Sequence, residues 1–581
     1  MREILHLRPY LTRYRRDLVL GGGALLLTNF FTLLAPWVTK FAVDDITRGA
    51  SAGKFQTYAL LLVGLAVVQG VFRYYMRQIL IGVSRLIEYD LRNDLYKHLL
   101  TLSSDYYERT KTGDVMARAT NDLNAVRTFL GPGIMNFMST VVTFVIAVSF
   151  MATVDLRLTI FALLPLPILS VLVKKLGAMT HRLFEDVQAE YANLTARVQE
   201  NLAGIRVVKA FAEEDSEIAE FRGANEVLVS KNLRLIRVWS AFFPVMSLLA
   251  GVAAAIVLYV GGSSVVGGRL TLGDFVAFNG YLALLIWPTI ALGWVMNLLQ
   301  RGAASMGRIQ EILDERPAVV GGRSAPAAIR GEIALDAVSF RYGRDGSGVE
   351  GVSETIRPGM TVAIVGETGS GKSTLVELLP RVHDAAEGAV RIDGVDARDL
   401  PLPVLRRAIG MVPQEPFLFS DTIRANIGYG IDDAPEPERE RRIVEAAKAA
   451  GIWREIEAFP KGLDTLLGER GVNLSGGQKQ RVTLARAIAT APPILVLDDA
   501  LASVDTGTEA EILANLRTVF AGRTNILIAH RLSMVQAADL ILVLEGGRVV
   551  ERGTHAELLR DGRVYPKIYE RELLKQELDR M

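Results

Sequence analysis

The chain is 581 residues long, half of them hydrophobic and only 22% charged, which is too long for one hydrophobic core and apolar enough that part of it belongs in lipid. A net charge of +1 argues against a nucleic-acid partner, which needs a concentrated basic surface, and the absence of cysteine excludes disulfides, thiol nucleophiles and Cys-ligated metal. Long apolar runs dominate up to about Leu299; from Arg301 the sequence turns charged and Gly-punctuated, as in a soluble α/β domain.

Residues 1–16 are polar and Arg-rich, and the apolar run after them carries no small-residue cleavage pattern, so no cleavable signal is expected. Six runs approach the roughly 20 apolar residues of a membrane-spanning helix: 18–43, 58–78, 133–153, 158–176, 238–261 and 275–298. Pro36, Pro165, Pro167, Pro244 and Pro288 lie inside them, tolerable in a membrane bundle and expected to kink it. The connections 79–129 and 173–237 are long, charged and helically periodic, so helices are expected to run well past the membrane surface. Arg8, Arg13, Arg15 and Arg16 before the first run, with Arg85, Arg92, Arg109, Lys111 and Arg118 in the first long connection, put the N-terminus and both connections in the cytosol. Gln69, Arg73 and Arg77 share one face of the second run. An Arg about 22 Å down that helix either lines a cavity or snorkels to the interface, and the sequence leaves both open. The organisation expected is a helical membrane domain over 1–313, a Pro-, Gly- and Ala-rich linker over 314–330, and a soluble domain over 331–581.

The soluble half carries the chemistry. A strand-like run, 361–365, leads into Gly366, Glu367, Thr368, Gly369, Ser370, Gly371, Lys372 and Ser373, and then through Thr374 into a helical pattern. This is a phosphate-binding loop in its strand–loop–helix context: glycines let backbone N–H groups converge on phosphate, and the helix N-terminus adds a favourable dipole. Lys372 is expected to neutralise the β- and γ-phosphates and the Ser373 hydroxyl to ligate Mg²⁺. The apolar run 494–497 ends in Asp498, where such enzymes place the carboxylate on the Mg²⁺ side. Between the two lies Leu474 with Ser475, Gly476, Gly477 and Gln478, opening a polar helix. It is a second anion cradle, and because the first already wraps one nucleotide's phosphates, the second is expected to complete another chain's site.

In this order the three motifs resemble those of ATP-binding cassette (ABC) proteins, with Leu474–Gln478 as the signature. The resemblance implies further roles. Tyr342 looks like the aromatic that stacks on adenine, although on sequence alone a strand core residue reads the same. Gln414, in Val412-Pro413-Gln414-Glu415, matches the glutamine that senses Mg²⁺ and the attacking water, and His530 matches the switch histidine that contacts the γ-phosphate. Gly468-Glu469-Arg470-Gly471 resembles the segment that links cytosolic helices to the ATPase. Residues 106–114 and 204–211 look like the two coupling regions of ABC exporters, and 268–274 is also typical. The fold implied is an all-α six-helix transmembrane bundle with long cytosolic extensions, followed by an α/β P-loop ABC ATPase domain. ATP and Mg²⁺ are the implied ligands and the cell inner membrane the implied location, with the ATPase domain cytosolic.

One position departs from the pattern. Where the family places a Glu as general base, this chain has Asp499, whose shorter side chain withdraws the carboxylate by about 1.5 Å. Misplacement on that scale costs about 10²-fold in rate. The run 498–505 resembles the degenerate-site subunit of heterodimeric bacterial multidrug exporters, except that Ala502-Ser503 reverses the expected order. The reading is therefore an exporter of amphipathic compounds: half of a heterodimer whose own site hydrolyses slowly and whose signature completes the partner's site. A slowly hydrolysing homodimer, a lipid flippase, a peptide exporter and an ATP-gated channel or regulator remain as alternatives.

Overall fold

Each apolar run of the first half lies in helix, because a chain in hydrocarbon has to satisfy its backbone polar groups internally. In the computed structural model four stretches among the described residues are long and apolar enough to cross a membrane: Arg15–Thr47, Ala52–Leu99, Thr112–Val154 and Glu214–Val266. A shorter apolar helix, Leu272–Ile286, begins the 43-residue helix Leu272–Asp314. The run 158–176 is split at Leu164, between helices Leu156–Leu163 and Pro165–Ala203, where Pro165 removes a backbone donor. Ala52–Leu99, at 48 residues, is about 72 Å long and more than twice the thickness of the hydrocarbon core.

The structure describes residues 2–324, 326, 328–343, 346, 348–501, 506–529 and 531–578. They form two units, one of Met1–Leu100 with Thr112–Glu315 and the other of Thr101–Lys111 with Arg316–Met581. The stretch 106–114 that resembles a coupling region is thus divided, with helix Ser104–Arg109 clustering with the second unit.

In the first unit, Leu272–Asp314 packs against Arg15–Thr47 and Ile134–Val154. Tyr281, wholly buried, donates to the Leu33 carbonyl at 3.0 Å and stacks on Phe150 at 5.6 Å. A polar tie joins the first of these helices to the last: buried Asp44 accepts from Gly273 N at 2.8 Å and Thr271 Oγ1 at 2.9 Å, while Lys40 pairs with Asp274 at 2.6 Å. Pro165–Ala203 packs on Phe242–Val266 and Leu272–Asp314, whereas Glu214–Ser240 has Pro165–Ala203 as its main neighbour. Pro165–Ala203 and Glu214–Ser240 pack on each other, with Lys231 on Glu190 at 2.7 Å, and none of the described residues of Glu214–Ser240 is buried. The short helix between them, Ile205–Phe211, also buries nothing and leaves Phe211 75% exposed.

Among the described residues the second unit holds ten strands. β1 (Ile333–Arg341), β2 (Gly348–Ile356), β4 (Glu387–Ile392) and β5 (Val395–Asp396) form an antiparallel sheet in the order β2-β1-β4-β5. β3 (Thr361–Gly366), β6 (Ile409–Val412), β7 (Ile494–Asp498), β8 (Thr524–Ile528), β9 (Leu540–Glu545) and β10 (Arg548–Gly553) form the second, in the order β10-β9-β3-β8-β7-β6, parallel except for β10. β7 and β8 are buried along their whole length, as continuous apolar runs in a parallel sheet should be.

Candidate nucleotide site

Strand register sets the site. Ile364 of β3 and Asp498 of β7 both pair with Ile528 of β8, so the loop after β3 and the carboxylates after β7 emerge together at the carboxyl ends of the parallel strands. There Thr368, Gly369, Gly371, Lys372, Ser373, Thr374, Gln414, Asp498 and Asp499 line one cavity of about 150 Å³ together with Ile528. The structure brings together these nine residues expected from sequence.

The loop's backbone needs glycine. Gly371 has φ +95°, and a Cβ on it would lie 2.5 Å from the Gly348 carbonyl; Gly369, at φ +81°, faces open space. Lys372 begins the helix Lys372–Glu377, and its ammonium donates to the carbonyls of Gly366 at 2.9 Å and Glu367 at 2.7 Å. Burial pulls that ammonium below its ordinary range, against the opposing charges of Asp498 and Asp499. The Ser370 hydroxyl is buried with no hydrogen-bond partner among the described residues. Glu367 points outward and pairs with Arg571 at 2.9 Å.

Asp498 is 3% exposed, and burial raises its carboxyl above the usual range, although Ser373 donates to it and Lys372 lies near. Asp499 sits at φ +46°, a left-handed conformation uncommon outside glycine and best tolerated by Asp and Asn, and its N–H donates to the Ile528 carbonyl at 2.9 Å. Strain of this kind persists only where surrounding structure imposes it.

The remaining expected residues lie elsewhere. Tyr342 is not among those lining the cavity; its hydroxyl donates to Glu377 at 3.0 Å, its ring meets Phe340 edge-on at 5.0 Å, and burial raises its pKa to about 12. Ser475 caps the helix Gly476–Ala489 in a reciprocal box with Gln478: Gln478 N donates to Ser475 Oγ at 3.3 Å and Ser475 N to Gln478 Oε1 at 2.9 Å. Ser475 and Gly476 are exposed, and no residue of 475–478 lines the cavity. His530 and Ala502, Ser503, Val504 and Asp505 lie outside the described residues. Sequence reasoning missed His383, 2% exposed and hydrogen-bonded to Asp105, because a lone histidine in a turn carries no signal.

In the first unit, Gln69 donates to Thr32 Oγ1 at 2.9 Å, and both line a cavity of about 440 Å³ with Phe31, Pro36, Thr39 and Gly280 among its walls. Arg73 and Arg77 are exposed and are not among its lining residues.

A membrane half followed by a P-loop half that carries the signature between its phosphate loop and Asp498 is the architecture of an ABC exporter, and comparison with known proteins agrees. Residues 18–289 match the ABC transporter transmembrane region and 349–502 the ABC transporter ATPase domain. The chain is 38% identical over 572 residues, 98% of its length and 96% of the relative's, to YheI of Bacillus subtilis, named as a probable multidrug resistance ABC transporter ATP-binding/permease protein. It is 37% identical over 582 residues, covering 100% and 98%, to the multidrug resistance-like ATP-binding protein MdlA of Escherichia coli. Among solved structures, a bacterial Atm1-family ABC exporter with ATP bound aligns with TM-score 0.76 and 32% identity over 96% of this chain and 98% of that one. The chain belongs to the ABC transporter family: a multi-pass membrane half-transporter with a cytosolic ATPase domain that couples ATP hydrolysis to export.

Proposed function

We propose that the chain exports amphipathic compounds across the inner membrane as one subunit of a heterodimer, with its own ATP site impaired in hydrolysis and its signature completing the partner's site. The observation that carries this reading is Asp499 in the base position of an otherwise complete phosphate site. The exposed signature and the unburied helix Glu214–Ser240, with Phe211 beside it, support a second half-transporter. The 440 Å³ cavity, with no charged side chain among its described lining residues, favours neutral amphipathic substrates. Robust ATP hydrolysis by the purified chain alone would refute the heterodimer. In vesicles holding the assembled pair, ATP-driven movement of phospholipid but not of a neutral dye would replace export with the flippase reading.

Within the site, Lys372 and the backbone N–H groups of 366–374 hold the phosphates, Gln414 and Asp499 flank the position of the attacking water, and Tyr342 takes the adenine. His530 takes the γ-phosphate contact. The Ser373 hydroxyl and the buried Asp498 carboxylate suit Mg²⁺, because a bound dication would relieve the burial that raises Asp498. A Mg²⁺ held by Ser373 and Asp498 would supply positive charge to offset the negative charge of the phosphates. Lys372→Ala removes a charge-assisted donor, worth about 1.5–3 kcal/mol, and is expected to weaken ATP binding at this site by about 10- to 100-fold. Site-resolved nucleotide binding to the purified pair measures this, with the partner's site retaining its affinity.

Topology is open to a direct check. Labels at the exposed Ser51 and Gly267 are expected to react from outside the cell and one at Lys111 only from the cytosol. Any reversal overturns the orientation and the six-crossing arrangement with it.

A further inference from the structure

We propose that His383 is a positioning residue that ties the phosphate-binding helix to the coupling helix Ser104–Arg109, so that nucleotide bound at the P-loop orders that segment through a single imidazole. The inference rests on the nucleotide-site reading above and adds the route by which binding is communicated.

His383 lies in the turn between Lys372–Glu377 and β4 and is 2% exposed. A buried imidazole needs polar partners, and a ring needed only for packing would be served better by an apolar one. Here both nitrogens face carboxylates. Nδ1 is 2.6 Å from Asp105 Oδ1, while Nε2 is 3.7 Å from Glu108 Oε1 and 3.9 Å from Glu377 Oε2. Asp105 and Glu108, three residues apart, present one face of the coupling helix to the ring. Glu377 comes from the opposite side and is the last residue of the helix that Lys372 begins. That helix spans only about 7.5 Å between the two residues, so the phosphate cradle and the coupling helix are separated by one helical turn and one side chain. Glu377 also accepts from Tyr342, which brings the proposed adenine platform onto the same link.

The turn is held firmly enough to transmit a shift. Arg381 is forced to φ +54°, donates to both carboxylate oxygens of Asp384 at 2.6 and 2.7 Å, and donates to the Val320 carbonyl at 3.0 Å. Phe340 and Tyr342 set the imidazole plane, with centroids 5.0 and 5.4 Å from it.

Hydrogen–deuterium exchange on the purified full-length chain in lipid nanodiscs, with and without Mg·ATP, tests this. In the wild type ATP is expected to slow exchange in Lys372–Glu377 and in 104–111, each by about fivefold or more, the lower end of typical coupling between sites. His383→Phe keeps the ring and removes both nitrogens; protection of Lys372–Glu377 should persist while that of 104–111 disappears. His383→Gln, whose amide can donate to Asp105, should restore it. Undiminished protection of 104–111 in His383→Phe overturns the proposal, as does its loss together with protection of Lys372–Glu377, which would mark general damage. If ATP protects neither segment of the wild type, the nucleotide-site reading fails and the link with it; protection of Lys372–Glu377 alone overturns the link only.

Discussion

Ser475→Arg is expected to stop ATP hydrolysis by the assembled transporter, although in the proposed heterodimer it alters the chain whose own site is the weaker. Ser475 and Gly476 are exposed at the start of a 14-residue helix, and the signature residues do not line the cavity that holds Lys372, Asp498 and Asp499. With Ser475 N and Gln478 N held in the capping box, the backbone N–H groups of Gly476 and Gly477 and the Ser475 hydroxyl are the donors proposed to meet the phosphates of a nucleotide held by a second chain. An Arg there replaces the cap, frees Gln478 from its reciprocal bond and fills the approach with a long cation. Loss of one oriented donor at a reacting phosphate costs about 10²–10³ in rate, and the added bulk acts in the same direction. Steady-state ATPase assays on the purified pair would read the effect, with ATP binding at this chain's own P-loop unchanged. Wild-type turnover in this variant would remove the signature from the partner's site.

Asp499→Glu separates the two assemblies. In a heterodimer the competent site does not use Asp499, so turnover is expected to stay near the wild-type rate. In a homodimer the added methylene carries both carboxylates about 1.5 Å further and should raise turnover by up to about 10²-fold. The left-handed backbone at this position accepts Asp more readily than Glu, so a thermal melt of the variant should accompany the assay to show that it folds. A large rise in the rate of the chain purified alone would establish the homodimer.

The parallel sheet was legible because its strands are continuous apolar runs and its loops are punctuated by glycine: 361–365 and 494–497 reappear as β3 and β7 with boundaries shifted by one residue or less at either end. The phosphate loop was legible for a related reason, since only a glycine-rich turn takes the backbone past the Gly348 carbonyl. Residues whose roles depend on distant partners left no trace. His383 meets a carboxylate 278 positions away, and Arg571 meets Glu367 from 204 positions away. Nothing in the local pattern around either one announces the contact. Arg73 drew attention as a charge within an apolar run, and the sequence left its role open; it is exposed and is not among the described residues lining the cavity beside its neighbour Gln69.

The paired helices Pro165–Ala203 and Glu214–Ser240 have a consequence for the life of the protein before it works. A 27-residue helix with none of its described residues buried gains little from its own chain beyond one neighbour, and the Phe211 ring beside it stays in water. Folding of that region is linked by mass action to whatever covers it, so its melting temperature should rise with subunit concentration rather than stand as a property of the single polypeptide. In the proposed heterodimer, a copy made in excess of its counterpart would present this arm to chaperones and proteases, which would remove the surplus.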